Sequence, residues 1–256
     1  LTQDSENIGR GTTGFGRDVL LGPTWAWDLF VNEEDVPTAT ATLGRLSTAW
    51  RAREIRDVPG AVLPIRYALA GRTRRIYGRP RRFDAPPNNR ILSGFVPVQA
   101  DFKCVDAYTY DDAEDSISLS LSATSQGGFV FPAVFPTETL PVGTQVDQAV
   151  VGGDAPTHPV FRFFGPVSTP RIVGPGWTLT LNTSIADGQW IEVDTRPWNL
   201  GVRRSDGMLL PGILGRRQWL SDIRFEPGRH DLVLDGASGS GGASATVAWR
   251  SAWNSI

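Results

Sequence analysis

Between Arg51 and Arg82 the chain carries ten arginines (51, 53, 56, 66, 72, 74, 75, 79, 81 and 82) against two acids, Glu54 and Asp57. The densest stretch, RRIYGRPRRF from Arg74 to Phe83, also holds two aromatic residues, Tyr77 and Phe83. Two chemistries suit such a patch. Arginine forks hold phosphates, so a nucleic-acid backbone is one partner. The same planar fork pairs carboxylates bidentately, so a protein interface is the other. The whole chain has a formal net charge of -2, so any attraction to polyanions has to be local. No recognisable nucleic-acid-binding module accompanies the arginines. The acidic run Asp111, Asp112, Glu114 and Asp115 offers a complement. In a ring of identical subunits, a basic patch on one copy can meet an acidic patch on the next. The contact candidates are Arg72, Arg74, Arg75, Arg79, Arg81 and Arg82 on one side and Asp111, Asp112 and Asp115 on the other. Plain solvated charge is the alternative.

Catalytic arrangements are poorly served. The only histidines are His158 and His230, and neither has a serine elbow for a hydrolase triad: GASGS from Gly236 misses G-x-S-x-G at its last place. Both histidines read as surface residues. One cysteine and two distant histidines do not make a zinc site. Gly9 to Gly14 matches G-x-G-x-x-G, but the polar LTQDSENI precedes it where a hydrophobic strand is required, so a flexible glycine loop is the better reading. Cys104 reads as a small buried side chain in a strand. No cofactor is implied. Asp187, Glu192 and Asp194 lie near tryptophans, and strand alternation puts Trp190, Glu192 and Asp194 on one face. Paired carboxylates beside an indole could cut or hold a sugar, with Trp190 and Glu192 as glycan contacts. With nine tryptophans in the chain, core filling is the plainer reading.

The elements that must position these residues are mostly strands. Twenty-eight glycines and 19 prolines punctuate short alternating runs. The run from Thr38 to Glu54 breaks the pattern, with apolar residues at Ala39, Leu43, Leu46, Ala49 and Trp50 in helical spacing. It predicts one amphipathic helix with Thr38 as N-cap and Pro59-Gly60 as stop. Strands are expected at Trp25 to Phe30, Val62 to Leu69, Phe95 to Tyr110 and Ile117 to Leu121. Arg72 to Arg82 is expected as a strand that ends in a turn at Gly78 and Pro80. Phe129 to Pro136 is too rich in proline for a central strand and reads as an extended connection.

From about residue 138 the texture changes to short strands at sandwich-like spacing. They centre on Val146 to Val151, Val160 to Phe164, Arg171 to Val173, Trp177 to Leu181, Gln189 to Val193, Leu200 to Arg203, Trp219 to Phe225, Asp231 to Leu234 and Ala245 to Trp249. The expected organisation is all-β in two domains, 1–137 and 138–256, the second a jelly-roll-like sandwich. No run approaches the ~20 apolar residues of a membrane span.

Several segments, in order, resemble the distal tail proteins (minor tail proteins) of long-tailed bacteriophages, especially those infecting actinobacteria. They are Gly14-Phe15-Gly16, Trp25 to Phe30, the central YGRPRRF, GGFVFPAVFP from Gly127, GDAPTHP from Gly153 and the ending AWRSAW from Ala248. The resemblance implies an N-terminal belt domain, β-barrel-like with one helix, that closes into a hexameric ring. It implies a C-terminal jelly-roll or galectin-like domain that projects outward. It places the protein at the virion tail tip after assembly in the host cytoplasm. There it would join the tail tube protein to the tail hub or tip protein, around a channel for the tape measure protein and the ejected DNA. The family brings no catalytic residues, and DNA would be met only in passing.

Overall fold

The computed structural model describes residues 21–86, 89–121, 146–216, 218–237 and 242–254, with the backbone of Ser5–Asn7 and Thr12–Gly14. The chain divides into two compact units, Leu1–Asp112 with Asn254–Ile256, and Ala113–Trp253. The division falls earlier than residue 137. The strand Asp115–Ser120, expected in the first domain, pairs along its whole length with Ser244–Trp249 of the second unit. The stretch 122–145, with the expected connection Phe129 to Pro136, lies outside the described residues.

In the first unit, β1 (Ser5–Asn7) and β2 (Thr12–Gly14) form an antiparallel pair, so the end of the glycine motif is strand rather than loop. β3 (Thr24–Asn32), β4 (Leu63–Leu69), β5 (Arg72–Asp84), β6 (Phe95–Cys104) and β7 (Thr109–Asp111) build one antiparallel sheet. β5 is its spine. Its first half pairs with β4 from Leu69↔Arg72 to Leu63↔Gly78, and its second half pairs with β6 from Gly78↔Cys104 to Asp84↔Gln99. β3 lies along the far side of β6 over nine residue pairs. The sheet curls until Trp25 on β3 and Tyr67 on β4 touch, with ring centroids 5.4 Å apart. No ladder joins β3 to β4 among the described residues, so this turn of sheet stops short of hydrogen-bonded closure.

Gly78 and Pro80 do not end the strand; they sit inside it. A Cβ at Gly78 would lie 2.1 Å from the Lys103 carbonyl oxygen, so only glycine lets β5 and β6 approach here. β4 ends at the partner of Gly78, which leaves that side of β5 open where Pro80 lacks its N–H. The register then slips between Pro80 and Phe83, as at a bulge. Phe95 to Tyr110 is likewise two strands, β6 and β7, rather than one.

The helix α1 runs from Val36 to Arg51. Its N-cap is Asp35, not Thr38: Asp35 Oδ1 accepts from the Thr38 backbone N–H at 2.7 Å. Pro37 sits in the first turn, where a missing N–H costs nothing. The helix stops at Ala52 in the left-handed region (φ 43°), before Pro59-Gly60, and a short α2 (Arg53–Arg56) follows. The apolar stripe does what its spacing predicts. Ala39, Leu43 and Leu46 pack with Val31 and Val96, and Trp50 meets Phe83 and Phe102 while donating to the Arg82 carbonyl at 2.9 Å.

The second unit contains β8 (Asp115–Ser120), β9 (Asp147–Val151), β10 (Val160–Phe164), β11 (Val167–Gly174), β12 (Trp177–Thr180) and β13 (Ser184–Ile185). It continues with β14 (Trp190–Asp194), β15 (Gly201–Arg204), β16 (Gly228–Ala237) and β17 (Ser244–Trp249). One antiparallel sheet has the order β15-β14-β10-β17-β8, the other β12-β11-β16-β9 with β13 beside β11. Alternation sends one side chain in two inward. Phe161, Phe163, Val193 and Val247 of the first sheet meet Ile172, Leu179, Leu232 and Leu234 of the second in one core. Trp219 to Phe225 is not a strand. It turns through a 3-10 helix at Leu220–Asp222, and Leu220, Ile223 and Phe225 plug the core from there.

Candidate functional site

Strand alternation puts Arg74 and Arg75 on opposite faces of β5, and β7 runs beside both, with Arg74↔Asp111 and Arg75↔Tyr110 in register. Asp112 follows directly. Arg75 Nε and Nη2 donate to Asp112 Oδ1 at 2.9 and 2.5 Å, and Arg66 Nη2 lies 2.6 Å from Oδ2. Burial pushes the Asp112 carboxyl up, but the Arg75 hydrogen bond and the charges of Arg75 and Arg66 outweigh it and hold the group below the ordinary carboxylate range. Arg74 is only 5% exposed, its Nε 4.0 Å from Asp111 Oδ1. Arg79 donates to the carbonyls of Ala61 (2.6 Å) and Val58 and so ties down the turn before β4. Arg82 bridges Asp84 at 2.9 Å and Gln99 at 3.2 Å.

The basic patch therefore divides. Arg74, Arg75 and Arg79 hold the first unit together, while Arg72 and Arg81 are exposed. Within one chain Arg74 and Arg75 already meet Asp111 and Asp112. Asp115 belongs to the second unit, exposed on β8 opposite Trp249.

A second feature of this unit carried no signal in the charges. Trp25, Ala26 and Trp27 on β3 face Tyr67, Ala68 and Leu69 on β4 across an apolar groove of about 500 Å³. Both strands present edges without a ladder partner among the described residues. Trp27 Nε1 and Tyr67 Oη find no hydrogen-bond partner there. Alternating tryptophans in TWAWDLF were a strand signal, but that β3 and β4 would face each other follows only from the curl of the sheet.

In the second unit Trp190, Glu192 and Asp194 share the outward face of β14, as alternation requires. Their roles differ from those of a carboxylate pair. Asp194 is 1% exposed and accepts from Arg196 Nε (2.9 Å), Arg196 Nη2 (2.5 Å), Asn199 Nδ2 (2.6 Å) and the Arg196 backbone N–H (2.9 Å). It closes the turn after β14. Glu192 Oε2 accepts from Arg162 Nη2 at 2.7 Å. The Arg162 guanidinium lies 4.5 Å from the centroid of the Trp190 ring, so a cation rather than a sugar occupies that indole face. Arg162 was absent from the sequence candidates, yet VFRFF marks it: with Phe161 and Phe163 inward, Arg162 must point out. Trp177 and Trp249 pack in or against the core, the plainer reading of the tryptophans.

The remaining reactive groups are structural. His230 is buried, not a surface residue; its ring stacks on Phe225 with centroids 4.9 Å apart and its Nε2 lies 2.6 Å from the Glu226 carbonyl oxygen. His158 is partly buried, and burial lowers its pKa. Cys104 is buried as expected, and burial pushes its thiol up to about 11. Among the described residues no three His, Cys, Asp or Glu side chains come together as metal ligands. No described helix is long and apolar enough to cross a membrane.

A half-curled sheet with one helix, followed by two sheets around a second core, is a specific sequence of units, and it has counterparts among solved structures. The SPP1 Dit (gp 19.1) protein, described as a paradigm of the hub adsorption apparatus in phages infecting Gram-positive bacteria, superposes over 98% of this chain and 87% of its own with a TM-score of 0.62. This chain shares its fold. Identity is 15%, so the likeness is one of fold alone. A chain of the phage P2 baseplate in its activated conformation with Ca matches over 96% of this chain and 86% of its own, at TM-score 0.54 and 11% identity. The corresponding baseplate with Sr gives 0.52 and 10%. No protein-family model matches the sequence, and no curated protein matches it.

Proposed function

We propose that this chain is a structural, non-enzymatic component of a phage tail tip: a distal tail protein whose first unit assembles into a ring, six copies around, between the tail tube and the tip or baseplate hub. In this reading the ring surrounds the channel through which tape measure and DNA pass, and the second unit, of jelly-roll type, faces outward. The observation that carries the proposal is the likeness to SPP1 Dit across 98% of the chain, which takes in both units in the same order. The sequence resemblance to distal tail proteins points the same way.

The first unit supplies physical support for self-assembly. It has two strand edges without ladder partners among the described residues, at β3 and β4. Unpaired strand edges invite pairing with another chain, though Pro64 and Arg66 partly blunt that of β4. Exposed acids, Asp28, Glu34 and Asp35, lie on or just after β3, whereas exposed Arg66 and Arg72 lie on or just after β4. A head-to-tail contact between these sides brings acid to base and, repeated with rotation, closes a ring.

Cryo-electron microscopy of the virion with the protein located by labelling tests the reading. A ring at the tail tip is the expected result, and mass photometry of the purified chain with its tail partners should give a multiple of the protomer mass. A protein found only as a monomer in native tails, or absent from them, overturns it.

A further inference from the structure

The outer face of the five-stranded sheet in the second unit carries a polar row that no structural need of the core explains. Cross-strand register aligns Ser118, Thr246, Arg162, Glu192 and Arg203 on β8, β17, β10, β14 and β15. Beside it runs a row of short side chains, Ser116, Ala248 and Val160. Long residues rising next to short ones leave a cleft of about 360 Å³, floored by that second row and walled by Arg162, Glu192, Glu114 and Arg196. That volume falls in the roughly 300–1,000 Å³ range of small-ligand sites.

The walls are held before any ligand arrives. Arg162 is braced by Trp190 at 4.5 Å and by Glu192 at 2.7 Å, Arg196 by Asp194, and Glu114 by Arg250 at 3.4 Å. Hydrogen-bonding capacity remains. Glu192 is only 20% exposed yet spends one oxygen on Arg162, and its Oε1 has no described partner. Arg162 is 45% exposed, and only its Nη2 is engaged. The Thr246 hydroxyl lines the same cleft.

Two guanidinium and two carboxylate groups balance in charge, which disfavours a phosphate or another strongly anionic ligand. Fixed donors and fixed acceptors side by side suit a ligand whose groups both donate and accept: vicinal hydroxyls, each donating a hydrogen bond to Glu192 and accepting one from Arg162. We infer that this cleft is a binding site for a neutral saccharide, with Arg162 and Glu192 as its direct contacts and Trp190 as a positioning residue beneath Arg162. The inference does not rest on a place in the tail, and either can fail without the other.

The test is a printed array of neutral and anionic oligosaccharides probed with the full chain, followed by titration of the best binder. Binding to a neutral saccharide is expected, with Glu192→Gln and Arg162→Met each weakening it at least about tenfold while the unfolding midpoint holds. Trp190→Phe should retain binding that Trp190→Ala loses. If a variant fails to fold, the Arg162 Nε–Hε resonance of the unmodified protein should still shift when the saccharide is added. Absence of binding to every neutral saccharide, binding that survives both substitutions, a static Arg162 resonance, or binding only to anionic glycans in low salt overturns the inference.

Discussion

In the second unit Phe161, Phe163 and Phe225 are completely buried in one core to which both sheets contribute. In the first, Trp25, Trp27 and Tyr67 stay partly exposed over an apolar groove, and the buried residues fall into separate small clusters around Val96 and Phe102. The charged groups follow the same division. Arg75 and Asp112 are turned to internal use in the first unit, whereas Arg162 and Glu192 stand half-engaged on an open face of the second. Among the described residues, the second unit gathers its large side chains into one core, whereas the first has apolar area at a groove and two strand edges without ladder partners. The proposed assembly would use the surface of the first unit, and the proposed saccharide site that of the second.

The comparison breaks if core deletions act alike in both units. Phe161→Ala should cost about 3–5 kcal/mol, read by denaturant titration, with hydrogen exchange localising the loss to the second unit. Equal loss of protection in both units would remove the distinction. Trp25→Ser should cost the isolated chain less than Phe161→Ala, because the indole is partly exposed already, yet abolish the proposed ring. A monomer destabilised as much as Phe161→Ala, or an intact ring, tells against the groove as an assembly surface.

Charge reversal separates the two kinds of arginine. Arg75→Glu should unfold the first unit, since it sets a carboxylate against Asp112, so loss of assembly in that variant says nothing about contacts between copies. Arg81→Glu should leave the unfolding midpoint nearly unchanged, so its effect on assembly reports on partners.

A smaller effect is read by pH. The folded state depresses the Asp112 carboxyl, so this group adds stability above its unfolded value of about 3.9 and loses it as pH falls through the folded value. The stability gap between the natural chain and Asp112→Asn should be fully open at neutral pH and close in strong acid. Asp106 responds in the opposite sense, its pKa raised by burial despite the hydrogen bond from Tyr110, so the difference between the two proteins is the informative quantity. Smallest of all, Cys104 should resist alkylation in the folded chain at mildly alkaline pH and react only on unfolding.

Local chemistry made much of this legible in advance. Period-two alternation set the strands and the outward placing of Trp190, Glu192 and Asp194, and period-3.6 spacing set the face of α1, because both depend only on which way successive side chains point. The cap moved from Thr38 to Asp35 because a threonine and an aspartate three residues apart offer competing hydroxyl and carboxylate caps. Gly78 and Pro80 were misread as a turn because their tolerance inside β5 depends on how closely β6 approaches and where β4 ends, facts that belong to other strands. The alternation in Trp219 to Phe225 mimicked a strand because a 3-10 turn can also aim every second or third apolar residue inward.

What the residues determined alone is the inventory: a β-rich chain with one amphipathic helix, no recognisable metal-ligand or triad motif, and a local excess of arginine. What tertiary structure decided is the partner of each charge. Arg75 could have met water, phosphate or a neighbouring copy, and it meets Asp112 because β7 returns beside β5. Arg162 turns toward Glu192 and Trp190 because β10 lies next to β14. Alternation acts between neighbours in sequence, while a salt bridge or a cleft needs two strands brought side by side by loop paths and core packing, and no spacing within one segment encodes that.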